Sequence, residues 1–132
     1  MNKKTKNKIP IIIRFELNKN KNNYYNSFEE IKKLPSYNDI VYIDCGYNQL
    51  TELPSNLPAS LQELNCYDNN LTELPSNLPA SLQELDCCDN QLTELPLDLD
   101  KLENLYYICY YNNQIEYIPP HIIYFIEKLK SI

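Results

Sequence analysis

The sequence predicts an α/β solenoid. Short stacked units place a parallel β-sheet on the concave face and extended or short helical segments on the convex face. Three observations carry this. First, the stretch that opens Leu61-Gln62-Glu63-Leu64-Asn65-Cys66 recurs from Leu82 and precedes itself, more loosely, from Ile40, so the first two units are 21 residues long. Self-similarity at such a period marks stacked supersecondary units, none of which buries enough apolar surface to fold alone. Second, the middle of each unit, such as Glu63-Leu64-Asn65-Cys66-Tyr67, alternates polar and apolar, as a strand with one buried face does. Third, Leu-Pro pairs such as Leu53-Pro54 and Leu57-Pro58 follow each strand. Proline holds the return path extended and removes N–H donors that an outer surface could not satisfy.

Taken in order, the chain starts with Lys3, Lys4, Lys6 and Lys8 and no acid, which predicts a disordered basic tail over residues 1–8. Residues 9–17 are rich in β-branched side chains and read as a strand, with Pro10 limiting it to an edge or a start. A polar loop, Asn18 to Asn26, follows. Ser27 and Glu30 have capping-box spacing, so a short helix is expected over 28–33, ended before Pro35. Residues 9–39 thus form an N-terminal cap, a degenerate unit whose Leu34-Pro35 matches the later Leu-Pro pairs. The regular units span 40–60, 61–81, 82–104 and 105–128. The tail has two readings. It opens a truncated fifth unit at Leu129, or it is a capping helix from Pro120 to Lys130 with Ile122, Ile126 and Leu129 on one face. The short helix closing the last unit is the favoured one.

Composition bounds the function. The 132 residues allow one domain at most. A net charge of −6 and a pI near 4.7 argue against nucleic acid as a partner. No run approaches a membrane span, and Ile9 to Ile13 is too short for a signal-peptide core. Five cysteines without such a signal predict an intracellular, cytoplasmic setting with free thiols.

The pattern L-x-x-L-x-C-x-x-N-x-L-x-x-L-P resembles the leucine-rich repeat family, over residues 40–119 and in part over 24–39. The short units with double Leu-Pro are most similar to the bacterial-type subclass found in secreted effectors. That resemblance implies a protein-interaction module, and it adds the cytoplasm of a host as a possible setting. The sequence departs from the family in placing Cys45, Cys66 and Cys87 where Leu, Val or Ile is usual.

The residues then sort by direction. Leu64 and Cys66 point inward, and Cys45, Cys66 and Cys87 form a column of small buried hydrophobes, lined up inside the core rather than around a tetrahedral metal. Asn48, Asn69, Asn90 and Asn113 turn the chain off the strand and bond backbone groups that have lost their ladder partners. The outward face carries Tyr42, Asp44, Tyr47, Glu63, Asn65, Tyr67, Asp68, Glu84, Asp86, Asp89, Tyr107 and Tyr111. An acidic face flanked by tyrosines suits a protein with a basic surface. Cys88 and Cys109 project from the same face, but straight-strand geometry puts their Cα atoms ~8 Å apart, long for a disulfide. His121 lies far from these thiols, which excludes a Cys–His nucleophile.

The expectation is a non-catalytic interaction module with no cofactor or metal, monomeric or weakly associating end to end. The alternatives are the recognition part of a larger ubiquitin-ligase-like effector or adaptor, and a duplicated remnant with no specific partner.

Overall fold

The computed structural model describes residues 11–15, 24–25 and 27–130. Strands β1 (Ile11–Phe15), β2 (Tyr24–Tyr25), β3 (Ile40–Asp44), β4 (Glu63–Asn65), β5 (Glu84–Asp86) and β6 (Tyr107–Cys109) form one sheet in the order β2-β1-β3-β4-β5-β6. Every neighbouring pair is parallel. Helix α1 (Phe28–Lys32) precedes β3, and helix α2 (Pro120–Lys130) follows β6. This is the leucine-rich-repeat type of α/β solenoid that the repeat pattern predicts.

The strands are short because only three residues per unit keep both the alternation and the ladder. Tyr42, Glu63, Glu84 and Tyr107 stand side by side across four strands; so do Ile43, Leu64, Leu85 and Ile108, and then Asp44, Asn65, Asp86 and Cys109. Past the strand the ladder runs on: the Cys45, Cys66 and Cys87 N–H groups donate to the carbonyls of Asn65, Asp86 and Cys109, each at 2.8 Å. Leu61, Leu64, Leu71, Leu82, Leu85 and Leu92 are fully buried and stack into a continuous core with the three cysteines.

The asparagines tie the units together. The Asn69 Oδ1 accepts from the N–H groups of Asn48 and Leu50 in the preceding unit, both at 2.9 Å. Its Nδ2 donates to the carbonyls of Cys45, Cys66 and Tyr67. Asn90 and Asn113 repeat the arrangement, accepting from Leu71 and Leu92 respectively. The residue before each asparagine, namely Tyr47, Asp68, Asp89 or Asn112, has a positive φ of 54–60°. That left-handed step reverses the chain and drives the next side chain inward; Asp and Asn tolerate it best. A second ladder lies at the strand entrance. Ser60 Oγ donates to the Ile40 carbonyl, Ser81 Oγ to that of Leu61, and Asn104 Nδ2 to that of Ala80.

The N-terminal end departs from the expectation in two ways. The polar loop Asn18 to Asn26 contains β2, which pairs with the far side of β1, so two strands and not one precede β3. Helix α1 ends at Lys32, one residue short, with Ser27 Oγ accepting from the Glu30 N–H as the capping spacing requires. At the other end the favoured closing helix is present with its expected bounds, and Leu129 lies inside it, so the truncated fifth unit does not open there. Ile122 and Ile126 bury the inner side of that helix against the last unit. The basic tail over residues 1–8, and the ends of the strand expected over 9–17, lie outside the described residues.

The central asparagine is the most demanding position. Asn69→Ala leaves the Asn48 and Leu50 N–H groups without an acceptor and takes one donor from each of three carbonyls, so it should cost about 3 kcal/mol or more. Asn113→Ala, whose site is partly open, should cost less. Chemical denaturation of the two variants checks this order.

Candidate functional site

The outward face of the sheet is built from four rows of side chains. At the strand entrance, Glu63 and Glu84 sit between Tyr42 and Tyr107. At the third strand position, the second outward row, Asn65 separates Asp44 from Asp86, and its Nδ2 donates to the Tyr42 hydroxyl at 3.0 Å. The next row follows the ends of the strands and runs Gly46, Tyr67, Cys88 and Tyr111. The last is the left-handed row of Tyr47, Asp68, Asp89 and Asn112. Tyr47, Asp68 and Asp89 therefore stand on the turn beyond the strands, not on the strands where the alternation placed them.

The tyrosines are not all free. The ring of Tyr67 lies over Gly46, where a Cβ would come within 2.8 Å of its Cζ atom. Tyr47 meets Tyr67 edge to face with ring centres 5.1 Å apart. The single glycine of the chain thus makes room for a tyrosine of the next unit. Tyr47, Tyr107 and Tyr111 remain 69%, 48% and 60% exposed, so they stay available as contact surface. Tyr106, absent from the expected set, donates its hydroxyl to Glu84 at 2.8 Å.

The carboxylates are held partly by backbone. Asp44 and Asp86 each accept, through Oδ1, the N–H two residues on, from Gly46 and Cys88 at 3.2 Å. Burial, then the charges of Glu84 and Asp44, raise the pKa of Glu63. Burial also raises that of Asp86; the Cys88 N–H opposes this, while Asp89 and Asp44 add to it. A groove of about 330 Å³ runs across the strand entrances between Ile12, Val41, Tyr42, Glu63 and Glu84. A larger one, about 630 Å³, lies on another side of the molecule, lined by Glu73, Glu94, Leu97, Lys101 and His121. There the His121 Nε2 donates to the Leu97 carbonyl at 3.0 Å and ties α2 to the preceding unit.

Cysteine is where the structure overturns the expectation. Cys88 and Cys109 are joined by a disulfide, with Cα atoms 5.6 Å apart. The longer straight-strand distance fails because β5 ends at Asp86, so Cys88 already lies on the bend that leads into the left-handed Asp89. Cys88 is also mostly covered, at 8% exposure, rather than projecting into solvent. Cys45, Cys66 and Cys87 are fully buried free thiols. Burial pushes the Cys87 thiol up to about 12 and raises those of Cys45 and Cys66 well above the ordinary thiol value, so all three stay protonated.

A stack of strand–turn–return units with an open sheet face is a solenoid scaffold. Family comparison places it more closely: the Leucine Rich Repeat model matches residues 60–80, and the two-copy Leucine Rich repeats model matches residues 80–123. This chain is a leucine-rich repeat protein. A comparison with curated proteins gave no match.

Two outcomes follow from the site. The Cys88–Cys109 bond closes a loop with a sequence separation of 21, so reducing it, or replacing both residues by Ser, should lower stability. The expected loss is about 3 kcal/mol, read by denaturation with and without a reductant. Glu63, with its raised pKa, binds a proton more readily folded than unfolded. Stability on its account is greatest below the ordinary value of 4.5 and falls as pH rises through the folded pKa. Glu63→Gln should therefore exceed the wild type at neutral pH by a few tenths of a kcal/mol, since solvent screens the pair. That advantage should vanish on acidification, as pH-dependent melting would show.

Proposed function

We propose that this repeat protein binds a protein with a basic surface through the outward face of its sheet. Leucine-rich repeat domains generally mediate protein–protein interaction and are typically non-enzymatic. The observation that carries the reading is the crowding of like charge on that face. Glu63 lies beside Glu84 in the sheet, and Asp86 interacts with both Asp89 and Asp44. Each pair opposes the stacking that holds the fold together. A cationic partner relieves that repulsion, so the same carboxylates that strain the free protein favour the complex. Tyr47, Tyr107 and Tyr111 supply exposed aromatic area beside the charge. Such residues contribute large contact at small entropic cost.

The expected partner is a protein, neither a nucleic acid nor a membrane. Among the described residues no helix is long and apolar enough to cross a bilayer. The setting we propose is intracellular, in which the Cys88–Cys109 pair spends time reduced.

The test is capture of partners from lysate by the wild type and by two charge-reversed triples. Glu63→Lys, Glu84→Lys and Asp86→Lys should weaken capture at least tenfold. Glu52→Lys, Glu73→Lys and Glu94→Lys, on the edge beyond the turn, should leave it unchanged. Wild-type capture should also fall with added salt, as a charge-steered complex does. Equal capture by both triples, with circular dichroism showing both folded, would assign binding to another surface.

A further inference from the structure

Two departures from the repeat meet at one point. Cys88 stands in the slot that holds Tyr67 in the preceding unit, and Cys109 stands in the slot that holds Asp86. The fourth unit differs from the third at many positions, and either change alone would be drift. Together they bring two sulfurs to one place on the outward face, beside a carboxylate. We propose that Asp86, Cys88 and Cys109 form a site for a thiophilic divalent cation of the zinc type, which exists only while the Cys88–Cys109 disulfide is reduced.

The geometry supports three ligands. One oxygen of Asp86 and the sulfurs of Cys88 and Cys109 all lie within 4.8 Å of one another. A tetrahedral zinc with Zn–S of about 2.3 Å and Zn–O of about 2.1 Å needs ligand separations of about 3.3–3.8 Å. The sulfurs must part from bonding distance and the carboxylate must close in slightly. Cα atoms 5.6 Å apart accommodate both a disulfide and a shared metal. The Cys88 N–H holds the Asp86 Oδ1 and so orients the carboxylate beside the sulfurs. This is the outer support that metal ligands ordinarily have.

The chemistry balances. A dithiol reductant gives two electrons and two protons to the disulfide, leaving thiols on Cys88 and Cys109 and a disulfide on the reductant. The cation then displaces both thiol protons. Two thiolates and one carboxylate face its two positive charges, with Asp44 and Asp89 adding negative charge around Asp86. Cys109 and Asp86 are only half-buried, so solvent reaches this side of the cluster and water would serve as the fourth ligand. The column of Cys45, Cys66 and Cys87 offers nothing comparable, being fully buried in a line through the core. The cation would sit among the residues proposed to meet a partner, so redox state and metal supply would together set the charge of that face.

The experiment uses the whole chain under anaerobic conditions, reduced with a phosphine and titrated with Co²⁺, with Zn²⁺ as competitor. The expected result is one equivalent bound, with thiolate-to-cobalt charge-transfer absorption and the visible bands of a tetrahedral ion, all bleached by Zn²⁺. The oxidised protein should show none of these bands. Cys88→Ser and Cys109→Ser should each abolish the charge-transfer band or leave a weak remnant, and Asp86→Asn should bind at least tenfold more weakly. Any one of three results overturns the site: no thiolate band in the reduced wild type, the same band in the oxidised protein or the double Cys→Ser variant, or unchanged affinity in Asp86→Asn.

Discussion

The turns that follow β4, β5 and β6 each depend on an asparagine amide that bonds in two units at once. An amide suits this place because it offers two donors and an acceptor on a short side chain. Asp lacks the donors, and Gln is a methylene longer. Asn69 uses both halves: its Nδ2 gathers three carbonyls and its Oδ1 accepts two N–H groups from the unit before. Without it the Asn48 and Leu50 N–H groups would lose their acceptor in or beside the core, which is costly. The left-handed residue ahead of it and the small cysteine three residues earlier serve the same end. The first turns the amide inward, and the carbonyl of the second accepts from it.

That constraint shapes the outward face. Because the chain must turn at a fixed place, β4, β5 and β6 are three residues each, and the positions beyond them take a bent course. Asp68 and Asp89 are on the face because the turn needs a residue that tolerates positive φ, whatever else they do. Asp44 and Asp86 likewise bond the N–H two residues on. Glu63 and Glu84 make no such backbone contact, so they are the acidic residues whose presence the fold explains least.

What the sequence made legible follows from this. Period and alternation identified β3 to β6, the buried leucines and the inward cysteines, because those features repeat and each is carried by side-chain polarity. Asn48, Asn69, Asn90 and Asn113 were legible as turn residues but not as bridges, since a bond to a neighbouring unit leaves no local pattern. Strand β2 was hidden in a polar stretch because it sits at the sheet edge, where only backbone pairing is required. The disulfide was missed for a geometric reason: the estimate carried the strand straight through Cys88, one residue short of a left-handed turn. The signal that could have revealed it was present, in that Cys88 and Cys109 both break the repeat on the same face.

Repetition explains why the face is strained. Copying a unit copies its charges, and parallel stacking in register brings each copy beside its original. Glu63 against Glu84 is the direct result, and after burial the Glu84 charge is the next cause of the raised pKa of Glu63. Drift in later copies would be expected to dilute such a row. It does so at the ends, where Tyr42 and Tyr107 replace the acid, and within the second outward row, where Asn65 separates Asp44 from Asp86. The central carboxylates remain. The core contacts of Leu64 and Leu85 are strong enough to hold the strands together against that repulsion, so the fold tolerates the charge without requiring it. A cation, whether a basic side chain of a partner or a metal ion at the third unit, removes a cost that the free protein already bears. Binding at this face then gains from the relief as well as from the new contact.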